Sequence, residues 1–213
     1  LRNGNFEKIN KQGVPRDWVV VGDAAEREVN VTTWSSHSGK RAVRLMAKAK
    51  EFVGLECSSA RLSRSNGWVT FWFKAERLAG DNVRVSAIPV VADNREVNSA
   101  SIDYVVPPHF AGDGEWHYAA LFYDYSKIED LLGVKVSLRI NDGGLLGPSE
   151  IIFDQLEWHA RVDAVIQISE IKFQEDKSAL GYVGTVVATV ENIGGELARD
   201  LDVSVAAREG LRI

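Results

Sequence analysis

The sequence is poor in several things that would have fixed its class at once. Only one cysteine, one methionine and five prolines occur in 213 residues. Cys57, in the run "FVGLECSS", has no partner within the chain, so a disulfide framework is excluded; a thiol in so apolar a setting reads as buried and inert rather than reactive. No apolar run reaches the roughly 18 residues of a membrane-spanning helix, and the first residues are polar, unlike an attached signal peptide. Charge of one sign is not segregated either. The formal net charge is −5 with acids and bases interspersed, so no basic stripe that would neutralise phosphates is present and nucleic acid is not an expected partner.

Catalytic signatures are missing as well. His37, His109, His117 and His159 show no HxH or HExxH spacing, and there is no GxSxG elbow, phosphate-cradling glycine loop or dinucleotide fingerprint. Glu96, Asp103 and Glu115 are available acids, but nothing in the chain order places two of them across a cleft as a glycosidase requires. Tyr123 with His117 is the one pair a glycan lyase could use. Catalysis is expected elsewhere, in a parent protein. The absence of an initial methionine at Leu1 and the end at Ile213 inside a strand-like pattern suggest a piece of something longer.

Helical periodicity is nearly absent; the one candidate, Asp124 to Gly133, reads as a loop with a helical turn. What is abundant is alternation. "VKVSLRI" places Val134, Val136, Leu138 and Ile140 on one face and Lys135, Ser137 and Arg139 on the other, as in a half-buried antiparallel strand. "VTFWFKA" sets Val69, Phe71 and Phe73 against Thr70, Trp72 and Lys74. Similar runs are "DWVVVG", "REVNVTTW", "RAVRLMA", "NVRVSAIPVVA", "SASIDYVV", "EWHYAALFY" and "EIIFDQLEW", most of them separated by turn clusters such as "SSHSGK", "LAGDN" and "NDGGLLGPS". About ten strands over residues 1–160 predict an all-β antiparallel sandwich or jelly roll. Residues 161–213 hold three more alternating stretches, around Val165–Phe173, Tyr182–Glu191 and Leu201–Ala206. That is less than the about seven strands of an immunoglobulin-like sandwich, so a partial, truncated module of that kind is expected.

The ordered set "NGNFE", "GVPRDW", "SHSGKRAVRL", "VTFWFKAE", "GEWHYAALFY" and "IIFDQLEW" resembles the jelly-roll carbohydrate-binding modules of the galactose-binding-like superfamily, of the type that accompanies bacterial xylanases and glucanases. The later "VENIGGELARDLDVSV" looks like the start of immunoglobulin-like adhesion or spacer modules. The resemblance implies a polysaccharide or oligosaccharide ligand, linked neighbouring domains, secretion or display at the cell surface, and a structural calcium ion. For that ion it implies Glu7 and Asp154 as carboxylate ligands, backbone carbonyls near Ser38 and Lys40, and Asn5 as a further oxygen. Calcium takes six to eight oxygens, and glycine-containing loops let carbonyls converge on it. Solvated or hydrogen-bonded turn residues are the plainer alternative for both acids.

Sugar rings pack their C–H faces on aromatic planes, and forked or amide side chains bind their hydroxyls. Trp18, Trp116 and Trp158 read as packing residues, and Trp34 fits either role. Trp72 is more informative, because parity turns it away from the core, where a large ring needs a cover or a ligand. The same parity puts Arg84 and Arg139 outward. If those strands were neighbours, Trp72, Arg84 and Arg139 would form a groove, with Tyr123 and Tyr125 on its rim beside Asp124. Three readings compete: a calcium-stabilised carbohydrate-binding module, a structural or adhesive spacer in which Trp72 is covered, and an enzyme with clustered acid and base groups.

Overall fold

The computed structural model of the chain describes residues 1–22, 28–57, 60–61, 65–142, 147–159, 166–178 and 181–192. Its strands are β1 (Trp18–Gly22), β2 (Val29–Thr32), β3 (Ala42–Ala47), β4 (Val53–Cys57), β5 (Ala60–Arg61), β6 (Asn66–Arg77) and β7 (Val83–Val91). They are followed by β8 (Arg95–Glu96), β9 (Ile102–Val105), β10 (His117–Asp124), β11 (Leu131–Ile140), β12 (Ser149–His159), β13 (Ile166–Ser178) and β14 (Gly181–Asn192). The fold is all-β, as the alternation required. One antiparallel sheet of seven strands runs β1-β4-β11-β7-β8, with β5 added on β11 and β9 on β7; a second of five runs β10-β6-β12-β3-β2. The expected helical turn at Asp124–Gly133 is instead a pair of turns between β10 and β11.

Alternation decides which side chains meet between the sheets. Phe71 and Phe73 of β6 and Phe153 of β12 are fully buried, as are Leu55, Val85, Val136 and Leu138 of the other sheet. Phe71 meets Tyr104 of the opposite sheet edge to face at 5.3 Å, so the layers are joined by aromatic contact as well as aliphatic packing. Among the described residues β13 and β14 pair only with each other. The stretch Leu201–Ala206 lies outside the described residues, as does the expected boundary at 160/161.

The opening "NGNFE" closes one end of the sandwich. Asn3 donates its amide to the carbonyls of Lys8 (2.7 Å) and Arg16 (2.8 Å) and accepts from the Lys8 N–H (2.9 Å). Its own carbonyl receives the Trp18 indole N–H at 3.2 Å. Phe6, fully buried at a φ of 54°, packs on Trp18 with ring centroids 5.4 Å apart. Gly4 lies against a bulge in β12: its carbonyl accepts the Leu156 N–H at 2.9 Å, and a Cβ on it would stand 1.9 Å from the Leu156 oxygen. Gly4→Ala is therefore expected to cost about 2–4 kcal/mol, lowering the melting temperature by about 4–16 °C in a thermal scan.

Candidate functional site

The bulge that receives Gly4 also aims Asp154. The β12 register shifts between Asp154 and Glu157, and Gln155 takes a φ of 50°. Asp154 thus faces outward from the five-stranded sheet, opposite Trp72, and is fully buried beneath the "SSHSGK" loop. Its Oδ2 accepts the N–H groups of His37 (2.9 Å) and Ser38 (3.0 Å), and its Oδ1 that of Gln155 (2.7 Å). Burial pushes its carboxyl above the usual range, against the pull of these three donors. Glu7 grips the same loop further on, its Oε1 accepting from the N–H of Lys40 at 2.6 Å and of Arg41 at 3.0 Å. Asn5 accepts only a long bond, 3.5 Å, from the Glu7 N–H.

The five residues expected to gather around calcium are thus partly brought together, since Glu7 and Asp154 do meet one loop. The loop, however, presents N–H donors to both acids where a calcium shell needs carbonyl oxygens. Ser38 and Lys40 meet the two acids through their N–H groups. Among the described residues no group of three or more His, Cys, Asp or Glu side chains is suited to a metal.

The clasped loop carries His37 onto Trp72. The two rings stack with centroids 3.7 Å apart and planes 12° from parallel, while Trp116 meets His37 edge-on at 5.7 Å and Tyr118 tilts against Trp72 at 5.3 Å. The His37 Nδ1 pairs with the Gln155 Oε1 at 2.8 Å. Trp72 points outward, as parity demands, but one face of its ring is already covered.

Arg84 and Arg139 lie on the opposite layer. They are cross-strand neighbours on the outer face of the seven-stranded sheet, β7 and β11, whereas Trp72 belongs to β6 of the other sheet. The expected groove of one tryptophan and two arginines is therefore split between the two outer surfaces of the sandwich. Tyr123 and Tyr125 form no rim; both are 3% exposed and stack on each other in the core. Tyr125 donates its hydroxyl to the Ala87 carbonyl at 2.6 Å, and burial pushes the Tyr123 phenol up to about 12.

The arginine face has a concavity and a network of its own. In register across four strands stand Val19, Glu56, Ser137 and Ser86, with Asp103 continuing the row on β9. A cleft of about 300 Å³ opens here, lined by Val19, Glu56, Cys57, Val90, Asn94, Glu96 and Lys135. Lys135 bridges Glu56 and Glu96, the latter at 2.7 Å. Arg139 binds Glu56 at 3.1 Å, Asp142 at 2.8 Å and, through Nε, the Ser137 Oγ at 2.7 Å. Arg84 pairs with Asp103 at 3.5 Å. Desolvation works against the charge on Lys135 and Arg139, but hydrogen bonds to Glu56 with Glu96, and to Asp142 with Glu56, outweigh it and hold both pKa values above the ordinary range.

Glu56 is the hub of this network and had not been singled out from the sequence. Its strand, "VGLEC", reads as an apolar run with an interior glycine, and only its place between the inward Leu55 and Cys57 marks it as an outward residue. Lys135 was legible as outward, and Glu96 as an acid without a partner.

Cys57, at the floor of the cleft, is buried, accepts the Val136 N–H at 3.1 Å and is pushed by that burial up to about 11. In the native protein it is expected to resist iodoacetamide at pH 8 and to react within minutes in denaturant; rapid native labelling would contradict its placement. Because the fold prefers the neutral thiol, that contribution to stability is complete below the ordinary thiol pKa and is lost as pH climbs to about 11.

No protein-family model matches the sequence, and no curated protein is similar enough to count as a relative; the likeness is to solved structures. A structure described for the promiscuous specificity of carbohydrate-binding modules from the β-sandwich superfamily superposes with a TM-score of 0.54 at 14% identity, over 72% of this chain and 61% of that one. The K2 cleaved adhesin domain of Lys-gingipain gives 0.50 at 10% identity, over 72% and 96%. A family 61 carbohydrate-binding module in complex with β-1,4-galactotriose gives 0.49 at 20% identity, over 75% and 97%. At these identities the first of these likenesses shows the fold alone: an antiparallel β-sandwich of the kind found in carbohydrate-binding modules.

Proposed function

We propose that the chain is a non-catalytic carbohydrate-binding module that seats a glycan in the cleft on the seven-stranded sheet, with Glu56, Lys135, Glu96 and Arg139 binding its hydroxyls. The observation that carries the reading is the cleft itself, in which the Glu56 and Glu96 carboxylates converge on the Lys135 ammonium, with Arg139 bound to Glu56 beside it and the exposed Val19 at one side. Arg84, Ser137 and Asp103 extend the row of donors and acceptors. Glu56 and Glu96 do not suit a hydrolase, because the Lys135 ammonium occupies the space between them that a glycosidic bond and its water would need. In a larger secreted or surface polysaccharide-active protein, such a module would raise the effective concentration of a catalytic domain on its substrate. The segment from residue 161 onward would be the start of an immunoglobulin-like spacer.

A second reading is favoured by a specific observation: among the described residues no aromatic side chain lines the cleft, and Trp72 is covered by His37. A structural or adhesive spacer needs neither. Calorimetric titration against xylan, β-glucan, galactan, mannan, alginate and pectin separates the two. A saturable heat with at least one glycan is expected, and a flat response from a folded chain would leave the spacer.

A further inference from the structure

We propose that the "SSHSGK" loop is closed by a metal-free clasp in which the Arg41 guanidinium is the resident cation, in the place where the sequence resemblance implied calcium. Four backbone N–H groups within five residues, those of His37, Ser38, Lys40 and Arg41, point at two carboxylates. Gly39, at a φ of 66°, makes this possible: a Cβ there would lie 2.3 Å from the Glu7 Oε1, so the turn closes directly on the acid. The Glu7 Oε1 and the Asp154 Oδ2 each receive two donors, and the Asp154 Oδ1 receives a fifth from Gln155.

The remaining oxygen, the Glu7 Oε2, faces Arg41, whose Nη1 stands 3.8 Å away and donates to the Glu7 carbonyl at 2.7 Å. A guanidinium reaching both the backbone carbonyl and the carboxylate of Glu7 supplies directed donors and a positive charge where a divalent ion would supply charge alone. Calcium would have to displace that arginine and turn N–H groups out of the shell so that carbonyls could turn in. The clasp also has work to do. It fixes the residue that covers Trp72, so loosening it exposes an indole face.

The test is independent of any glycan. Metal analysis of the purified chain is expected to find no stoichiometric calcium, and thermal scans with chelator or with added CaCl₂ should agree within about 1 °C, where loss of a structural ion would shift the midpoint by several times that. Arg41→Ala should lower the midpoint by several degrees, with no rescue by calcium, and should change the tryptophan fluorescence as His37 leaves Trp72. Arg41→Lys, which keeps the charge but not the fork, should fall between. A chelator-induced drop reversed by calcium, stoichiometric bound metal, or an Arg41→Ala variant as stable as the parent would each overturn the proposal.

Discussion

Phe6→Ala is expected to lower the melting temperature by about 6–20 °C, a cavity cost of about 3–5 kcal/mol spread over a chain of this size. The ring is fully buried against Trp18, and its backbone is held at a φ of 54° by the hydrogen bonds of the "NGNFE" turn. The fold therefore accepts an unfavourable dihedral to place this ring in the core. Phe6→Gly serves as a control: it loses the same packing but relieves the dihedral, so it should be no worse than alanine despite glycine's greater unfolded entropy. A loss below about 3 °C for alanine would mean that the N-terminal turn does not close the sandwich.

Glu56→Ala is the second large effect, and it falls on binding. The carboxylate holds Lys135, Arg139 and the Ser137 hydroxyl together. Removing a partner from a half-buried, hydrogen-bonded charge network costs about 2–5 kcal/mol, or about 30- to 4000-fold in affinity. Some of that loss will appear as stability, since among the described residues Lys135 keeps Glu96, and Arg139 keeps Asp142 and the Ser137 hydroxyl. Glu56→Gln, which preserves shape and one acceptor, should remain close to the parent in melting temperature while still binding more weakly. Trp72→Ala is the opposite case: it should cost stability through lost stacking with His37 and Tyr118 and leave glycan affinity within about twofold, since it sits on the other sheet.

Parity carried the sequence a long way and then stopped at a definite point. The two-residue period in "VTFWFKA" and "VKVSLRI" states correctly that Trp72 and Arg139 point outward, because that property is local to each strand. Which sheet a strand joins is not local. Trp72 and Arg139 were placed in one groove only by treating β6 and β11 as neighbours, whereas β6 pairs with β10 and β12, and β11 with β4, β5 and β7. Tyr123 is in the core for another reason: it shares its face of β10 with Ala119 and Leu121, both buried, and that parity decides its side even near the strand end. The meeting of Glu7 and Asp154 with one loop was implied by the family resemblance alone and not by spacing. Whether that loop would offer N–H or C=O groups depends on backbone dihedrals around Gly39 that residue names do not specify.

The central claim is that a glycan lies on the seven-stranded sheet. Amide chemical-shift mapping of the isotope-labelled chain with a short oligosaccharide of whichever polysaccharide gives heat tests it most directly. Shifts gathered at Val19, Glu56, Glu96 and from Lys135 to Arg139 are the predicted result. Shifts gathered at His37, Trp72, Trp116 and Tyr118 instead would move the site to the other face and contradict the account.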